Sequence, residues 1–330
     1  MKKNKILILS LLITVLLSII GTMIYIYIPK KAKKKCNEIS KIILQNKSAC
    51  ETCPNGLKEV SLEKKNGIWY VNKNFKAKEK DVDRLLHTIE NMEIKRPVGV
   101  LERENILKRM DVQRTTVKLF CNDILSKNIL VGGNASNQLG TYMIIEDTLE
   151  SEPYVFHLPG HNGFLNSRFS CEEINWRDKT IFNFSISEVK KVEIIYPDSI
   201  SSFNIEKNGH EYIFMTKTEK DTTINWKNIK SYFENFENKS CEKILTDNSE
   251  FSTEEIKKRK PFFELYITLK NDSIVNLQGI RKNSSEKGRT KNLPYDTERF
   301  YGKINNDLLL IQYQIFNEIL KKNNDFYMKK

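Results

Sequence analysis

The stretch VSLEKKNGIWYVNKNFKAKEKDVDRLLHTIENM, residues 60–92, carries the pattern that decides the predicted fold. Val60 and Leu62 alternate with polar residues, which is the two-residue period of a half-buried strand. Asn66-Gly67 is the strongest short hairpin signal, because both residues tolerate the positive φ of a primed turn. We therefore predict two antiparallel strands joined by a tight turn at Asn66.

A helix is predicted directly after this hairpin. Its apolar residues fall at i, i+3, i+4, i+7 and i+10, so that they form one stripe along the helix. They are Val82, Leu85, Leu86, Ile89 and Met92. The stretch therefore reads strand, turn, strand and helix, which predicts a sheet with a helix packed on one face.

The same unit recurs in the second half of the chain. The second predicted helix carries four large apolar residues on one face, namely Trp226, Ile229, Phe233 and Phe236. The turns that recur in matching order are Asn66-Gly67, Asn122-Asp123, Asn208-Gly209 and Asn271-Asp272. A period of about 150 residues is the size of a domain, which indicates a duplicated domain rather than a solenoid.

These patterns predict an α+β protein of two tandem repeats, each an antiparallel sheet with a packed helix, preceded by one transmembrane helix. The predicted domains are a membrane anchor at 1–35 with its span at 6–28, a first repeat at 36–180 and a second at 181–330. The span is an uncharged, mostly apolar run of the length that crosses a bilayer. No small-residue cleavage site follows it, so we expect an uncleaved anchor in contact with the lipid bilayer.

The charge of the chain does not indicate a nucleic-acid partner. The formal net charge is +12, but eight of the lysines flank the apolar run near the N-terminus. The remainder is only mildly basic and lacks the footprint of a nucleic-acid-binding protein.

The cysteines supply the one candidate for chemistry. Cys50 and Cys53 form a Cys-x-x-Cys pair, which can exchange a disulfide when a helix N-terminus lowers the pKa of one thiol. No helical pattern follows Cys53, so a loop disulfide or two idle thiols is the favoured interpretation. We predict no catalytic, cofactor or metal site, and keep Cys50 and Cys53 as the possible disulfide or redox pair.

The tryptophans are expected to serve packing. Trp69 lies on a predicted strand and Trp226 on the apolar face of a helix, so both are predicted to lie in a core. Trp176 lies in the segment between the repeats, and we predict that it packs the two repeats together.

Several of these segments together resemble a known bacterial family. They are Ile39-Ser40-Lys41-Ile42, Gly67-Ile68-Trp69, Asp83-Arg84-Leu85-Leu86, Val131-Gly132-Gly133 and Trp176-Arg177-Asp178-Lys179. The chain resembles the family known as a domain of unknown function (number forty-three forty), and its aromatic-rich ending resembles the Bacteroidetes branch. The resemblance implies an envelope protein anchored in the cytoplasmic membrane, near gliding-motility-type ABC transporter components, and brings no catalytic residues.

The resemblance also bears on location and role. Three lysines precede the apolar run and five follow it, which by the positive-inside rule would keep the repeats in the cytoplasm. The family implies the opposite orientation, with the repeats facing the periplasm, and we adopt it because the lysine excess is small. We expect a non-enzymatic scaffold or accessory protein that partners an envelope protein, with transporter subunits as candidates. The alternatives are a thiol-redox enzyme using Cys50 and Cys53, or a glycan- or peptide-binding module that uses a groove between the repeats.

Overall fold

The computed structural model describes residues 38–47, 57–135, 140–146, 152–217, 223–247, 252–285 and 293–328. The chain divides into two compact units, the first ending at Trp176 and the second beginning at Arg177. The sequence predicts this boundary between residues 180 and 181. The predicted anchor, with its span at 6–28, and the pair Cys50 and Cys53 lie outside the described residues.

The first unit is built on a nine-stranded antiparallel sheet. Its strands are β1 (Lys41–Lys47), β2 (Leu57–Lys65), β3 (Ile68–Val71), β4 (Phe75–Lys76), β5 (Glu93–Pro97), β6 (Thr115–Cys121), β7 (Ile124–Asn134), β8 (Thr141–Ile145) and β9 (Tyr154–His157). The strand order is β4-β3-β2-β1-β6-β7-β8-β9-β5. β1 lies between β2 and β6, with Ile42 opposite Leu62 on one side and Leu119 on the other.

The second unit is built on an eight-stranded antiparallel sheet. The strands of this unit are β10 (Thr180–Phe182), β11 (Val189–Ile195), β12 (Phe203–Asn208), β13 (Glu211–Thr216), β14 (Lys239–Ser240), β15 (Lys243–Leu245), β16 (Phe263–Leu269), β17 (Ile274–Asn283), β18 (Tyr295–Ile304) and β19 (Asp307–Gln312). The order in the large sheet is β13-β12-β11-β16-β17-β18-β19-β15, and β10 pairs separately with β14.

The two large sheets share one strand order. Without β4, the first sheet runs β3-β2-β1-β6-β7-β8-β9-β5, and each strand has a counterpart at the same place in the second sheet. In the chain, β5 precedes β6 and β15 precedes β16. In the sheets, however, β5 and β15 lie at the far edge, beside β9 and β19. Each unit therefore contains two long-range strand pairings, β1 with β6 and β5 with β9 in the first unit, and β11 with β16 and β15 with β19 in the second.

The predicted hairpin turns are confirmed. Asn66 and Gly67 have φ values of 50° and 82°, and Asn122 and Asp123 have 47° and 64°. Positive φ at both central residues is the backbone of a primed turn, whose twist matches that of the flanking strands. The β12–β13 and β16–β17 hairpins also form where predicted, but in these turns only Gly209 and Asp272 have positive φ, of 62° and 63°, and the first turn begins after Asn208.

The described helices are short. The α-helices are α1 (Glu79–Asn91), α2 (Val100–Val112), α3 (Glu173–Trp176), α4 (Trp226–Tyr232), α5 (Thr253–Lys257) and α6 (Tyr313–Phe316), and the 3₁₀ turns are Asn166–Arg168, Phe233–Phe236 and Asn323–Phe326. In α1 the predicted apolar stripe is confirmed: Val82, Leu85 and Ile89 are buried, while Leu86 and Met92 are partly buried against the same core.

The core of the second unit is rich in aromatic rings. Tyr232, Phe233 and Phe236 are buried, and the Tyr232 ring lies 5.4 Å from Phe236 and 5.3 Å from Phe326. Trp69 is buried in the first unit, as predicted. The prediction for Trp226 is wrong: it is the first residue of α4, at the end of the helix, and remains 49% exposed.

The predicted fold class, α+β with an N-terminal transmembrane helix, is corrected by these observations. The described part of the chain is mostly β-sheet, with 46% of its residues in strands and 22% in helices. The prediction overestimated the share of helix, because the large sheets contain nine and eight strands, several of which have no recognisable strand pattern. The predicted transmembrane helix is not shown, since none of the described helices is long and apolar enough to cross a bilayer.

Candidate functional site

The largest cleft described lies at one end of the second sheet and has a volume of 1160 Å³. The sheet is antiparallel, so this end collects the end of β11, the start of β16, the end of β17, the start of β18 and the end of β19. The lining residues include Tyr196, Phe262, Arg281, Tyr295, Asp296, Arg299, Tyr313, Gln314, Asn317 and Lys322. All belong to the second unit.

A glycine lets the chain approach closely at this end of the sheet. Gly279 of β17 pairs with Phe263 of β16, and a Cβ on Gly279 would lie 2.0 Å from Cε1 of the Phe263 ring. The ring therefore occupies the space that a side chain at position 279 would need. The backbone N–H of Phe262 donates to the Gly279 carbonyl at 2.8 Å, which fixes Phe262 at the wall of the cleft.

The guanidinium of Arg281 contacts two aromatic rings. Its guanidinium carbon lies 4.7 Å from the centroid of Phe262 and 5.2 Å from the centroid of Tyr295. The register of β17 against β18 shifts between Arg281 and Asn283, which places Tyr295 opposite Asn283. We call Arg281 with these two rings the aromatic clamp. Contacts of this kind hold the guanidinium plane while its N–H edges stay available.

Within the aromatic clamp, Phe262 packs against buried rings, whereas Arg281 has no acidic partner among the described residues. Phe262 packs against Phe263 at 4.8 Å and Phe300 at 5.8 Å between ring centroids, and both of these are buried. Among the residues that the structure describes, the Arg281 side chain forms no ion pair with a carboxylate and no hydrogen bond.

The carboxylate of Asp296 is already engaged. It accepts a hydrogen bond from Lys282 Nζ at 3.0 Å and from the backbone N–H groups of Glu298 and Arg299 at 2.8 and 3.0 Å. Burial alone would raise the pKa of Asp296, but these donors hold the pKa below its ordinary value. Asp296 therefore lines the cleft as part of a buried ion pair with Lys282 and not as a free carboxylate.

A second network closes the side of the cleft. Arg299 Nε donates to Glu242 at 2.7 Å, and the Gln312 amide donates to the same carboxylate at 3.0 Å. The bond from Arg299 is the main reason that the pKa of Glu242 lies below its ordinary value. The guanidinium of Arg299 also contacts Glu298 at 2.9 Å, so that one cation is shared by two carboxylates.

Other polar groups of the lining have no such commitments. Gln314 and Asn317 are exposed, and neither side chain forms a hydrogen bond within the described part of the chain. Tyr196 donates its hydroxyl proton to the carbonyl of Lys321 at 2.8 Å. Burial raises the pKa of Tyr313. Both tyrosines are therefore neutral at pH 7, and the groups left to hydrogen-bond a ligand include the two amides and the hydroxyls of Thr297 and Tyr313.

The first unit has its own cleft, of 990 Å³, beside the end of α2 and the Gly132-Gly133 segment of β7. Its charged residues are largely paired: Lys58 with Glu172, and Arg114 Nη1 with Asp111 at 2.9 Å. Its lining offers no counterpart of the aromatic clamp among the described residues.

The described cysteines differ in state. Cys121, at the end of β6, is disulfide-bonded, whereas Cys171 and Cys241 are free and buried. Burial raises the pKa of both free thiols to about 11. A thiol with such a pKa is almost fully protonated at neutral pH and is a poor nucleophile. The redox role predicted for Cys50 and Cys53 concerns residues outside the described ranges and stays a prediction.

Trp176 belongs to the core of the first unit. It is buried, and its indole N–H donates to the carbonyl of Ser170 at 2.8 Å. Its own carbonyl accepts from the backbone N–H of Lys78 at 2.7 Å, which ties α3 to the start of α1. The predicted contact of Trp176 with the second repeat stays a prediction.

Sequence reasoning missed the clamp. Phe262, Arg281 and Tyr295 lie on three different strands or strand ends and form no motif along the chain. The only signal was the run of aromatic residues near the C-terminus, and it does not indicate which rings surround an arginine. Within the described residues no cluster of three or more His, Cys, Asp or Glu side chains could hold a metal ion.

Fold and site together define a mostly β protein of two sheet units, with an open cleft in the second. Residues 69–259, more than half of the chain, match the family described as Domain of unknown function (DUF4340). The chain belongs to this family, as the sequence motifs indicated. Comparison with curated proteins gave no match, and neither did comparison with solved structures. Apart from the loop at residues 196–198, the residues that line the cleft lie after the matched segment.

Proposed function

We propose that this protein is a non-catalytic accessory protein of the cell envelope, which works on the outer face of the cytoplasmic membrane and binds an envelope partner. Transporter subunits are the candidate partner, on the strength of the family resemblance. The observation that carries the proposal is the disulfide at Cys121. Disulfides form and persist in oxidising compartments and are rare in the cytosol.

The acidic and thiol groups of the described sites also favour binding over catalysis. A general acid that works near neutral pH needs a raised carboxyl pKa. The pKa values of Asp296 and Glu242 are instead lowered by their hydrogen-bond donors. The free thiols of Cys171 and Cys241 are buried with raised pKa values, which opposes nucleophilic chemistry.

Thiol trapping in cells tests the compartment. Cells are quenched in acid, free thiols are blocked, disulfides are reduced, and the released thiols are tagged with a maleimide-polyethylene glycol that shifts the protein on a gel. We expect the wild type to release a reducible pair that Cys121→Ser lacks. Cys241→Ser is the matched control, because it removes a buried free thiol and should leave the reducible pair intact.

Protease accessibility provides an independent readout of the same proposal. Protease added to intact spheroplasts should digest both units while cytosolic marker proteins survive. A Cys121 thiol that is free in acid-quenched cells, together with full protection of both units until lysis, contradicts the proposed compartment.

A further inference from the structure

We propose that the cleft of the second unit binds the C-terminal end of a peptide, with the aromatic clamp at Arg281 receiving the terminal carboxylate. This inference stands on the cleft alone and does not depend on the compartment proposed above.

The first step is the state of Arg281. The rings of Phe262 and Tyr295 lie 4.7 and 5.2 Å from its guanidinium carbon, and it has no carboxylate partner within the described residues. An arginine presents five N–H donors in a planar fork, which matches both oxygens of a carboxylate. Because the rings already hold the side chain, little of its conformational freedom remains to be lost on binding.

The second step is the charge around the clamp. Asp296 is paired with Lys282, Arg299 is shared between Glu298 and Glu242, and Asp198 accepts hydrogen bonds from Ser201. Arg281 and the exposed Lys322 at the rim are the cations of the cleft lining without a described acidic partner. The lining as a whole is balanced, with three cations and three carboxylates, so an anionic group finds its favourable partner specifically at the clamp, where Arg281 has no described acidic partner.

The third step distinguishes a peptide from an acidic sugar. A sugar acid presents several hydroxyl donors, which need free acceptors such as carboxylates. Asp296 and Glu298 are engaged by Lys282 and Arg299, and the uncommitted side chains of the lining include the hydroxyl of Thr297 and the amides of Gln314 and Asn317. Each amide offers one acceptor and one donor pair, the complement of a peptide group. Phe262 and Leu320 add an apolar wall for the last side chain of the peptide.

The test compares a free acid with its amide. Calorimetry on the full-length chain measures the binding of the tetrapeptides Ala-Ala-Ala-Leu and Ala-Ala-Ala-Phe, each as the free acid and as the C-terminal amide. We expect the acids to bind about tenfold more tightly or better, because only they offer two oxygens to the guanidinium fork.

Variants assign this preference to the clamp. Arg281→Gln should abolish the preference for the acid, and Arg281→Lys should lose most of it, because an ammonium lacks the planar fork. Lys227→Gln is the matched control: it removes the same charge from an exposed position in α4 outside the cleft lining and should keep the preference. Unfolding transitions of all variants show whether each is folded, and the wild-type comparison decides the proposal even if one variant is not.

Four outcomes overturn the inference. They are equal affinity of the wild type for acid and amide, no binding of either at millimolar peptide, equal effects of Arg281→Gln and Lys227→Gln, and tighter binding of a triglucuronate than of the peptides. The last result would assign the cleft to acidic sugars instead.

Discussion

The two units share a strand order but differ in what covers their sheets. In the first unit the thirteen-residue helix α1 lays an aliphatic stripe of Val82, Leu85 and Ile89 on the sheet. In the second, the seven-residue helix α4 runs on into a 3₁₀ turn, and the contact is made by aromatic rings around Phe233. The same strand order therefore accepts two chemically different cores, provided that each face stays apolar.

The difference between the cores reaches the surface. In the second unit the Phe300 ring contacts Phe316 at 5.7 Å and Phe262 at 5.8 Å, so the aromatic core continues to the wall of the cleft. There it ends in the aromatic clamp around Arg281. The cleft of the first unit is bordered instead by paired charges such as Lys58 and Glu172. Aromatic packing thus gives the second unit a feature for binding that a shared strand order does not provide.

The largest expected effect comes from breaking one core at a time. Phe233→Ala should cost the second unit about 3–5 kcal/mol, because a fully buried ring leaves a cavity. Leu85→Ala should cost the first unit about 2–5 kcal/mol for the same reason. Hydrogen exchange measured in increasing denaturant, read separately on peptides of each unit, reports both losses.

The controls for these variants are the exposed neighbours Glu234→Ala and Glu90→Ala, which should each change stability by less than about 0.5 kcal/mol. Equal destabilisation of both units by Phe233→Ala would show that the units unfold as one and would remove the basis of the comparison.

Local features of the fold could be predicted from the sequence. Asn66-Gly67 and Asn122-Asp123 mark hairpins because few residues accept positive φ, and the stripe along α1 follows from the helical period. The edge strand β5 could not be found: Ile94 is 55% exposed and its neighbours are charged, so no alternation identifies it. Its pairing with β9 bridges about sixty residues, and only the folded chain specifies it. Overlooking such strands is why the fold class was wrong.

The candidate site was harder to predict than the fold. Phe262, Arg281 and Tyr295 meet because β16, β17 and β18 pair with a register shift near Arg281, and no local pattern encodes that shift. The sequence does not show that the carboxylate of Asp296 is paired. Its role depends on Lys282, fourteen residues earlier, and on two backbone N–H groups.

A smaller effect distinguishes two glycines on corresponding strands. Gly279→Ala in β17 should destabilise the second unit by about 1–3 kcal/mol, because its Cβ would meet the buried Phe263 ring at 2.0 Å. Gly132→Ala in β7 should cost the first unit less, because its closest contact is Met110 Cγ at 2.9 Å and methionine repacks readily. Chemical denaturation of both variants measures the difference. A greater cost at Gly132 would indicate that the tighter core belongs to the first unit.

The smallest expected effect is the acid response of the Glu242 network in the second unit. The bond from Arg299 lowers the pKa of Glu242 in the folded state, so the network stabilises the unit above the unfolded-state pKa of about 4.3. This stabilisation is lost as the pH falls through the folded-state pKa.

Glu242→Gln removes the charge, and at pH 7 it should cost about 0.2–1 kcal/mol because the pair is partly exposed. Denaturation at pH 7 and at about pH 3 should show the wild type and the variant converging as the acid protonates. Asp111→Asn, in the paired exposed charges of the first unit, is the matched control and should leave the second unit unchanged at both pH values. A gap between wild type and Glu242→Gln that widens in acid would show that the carboxylate is not stabilised by Arg299, and the side wall of the cleft would then need another explanation.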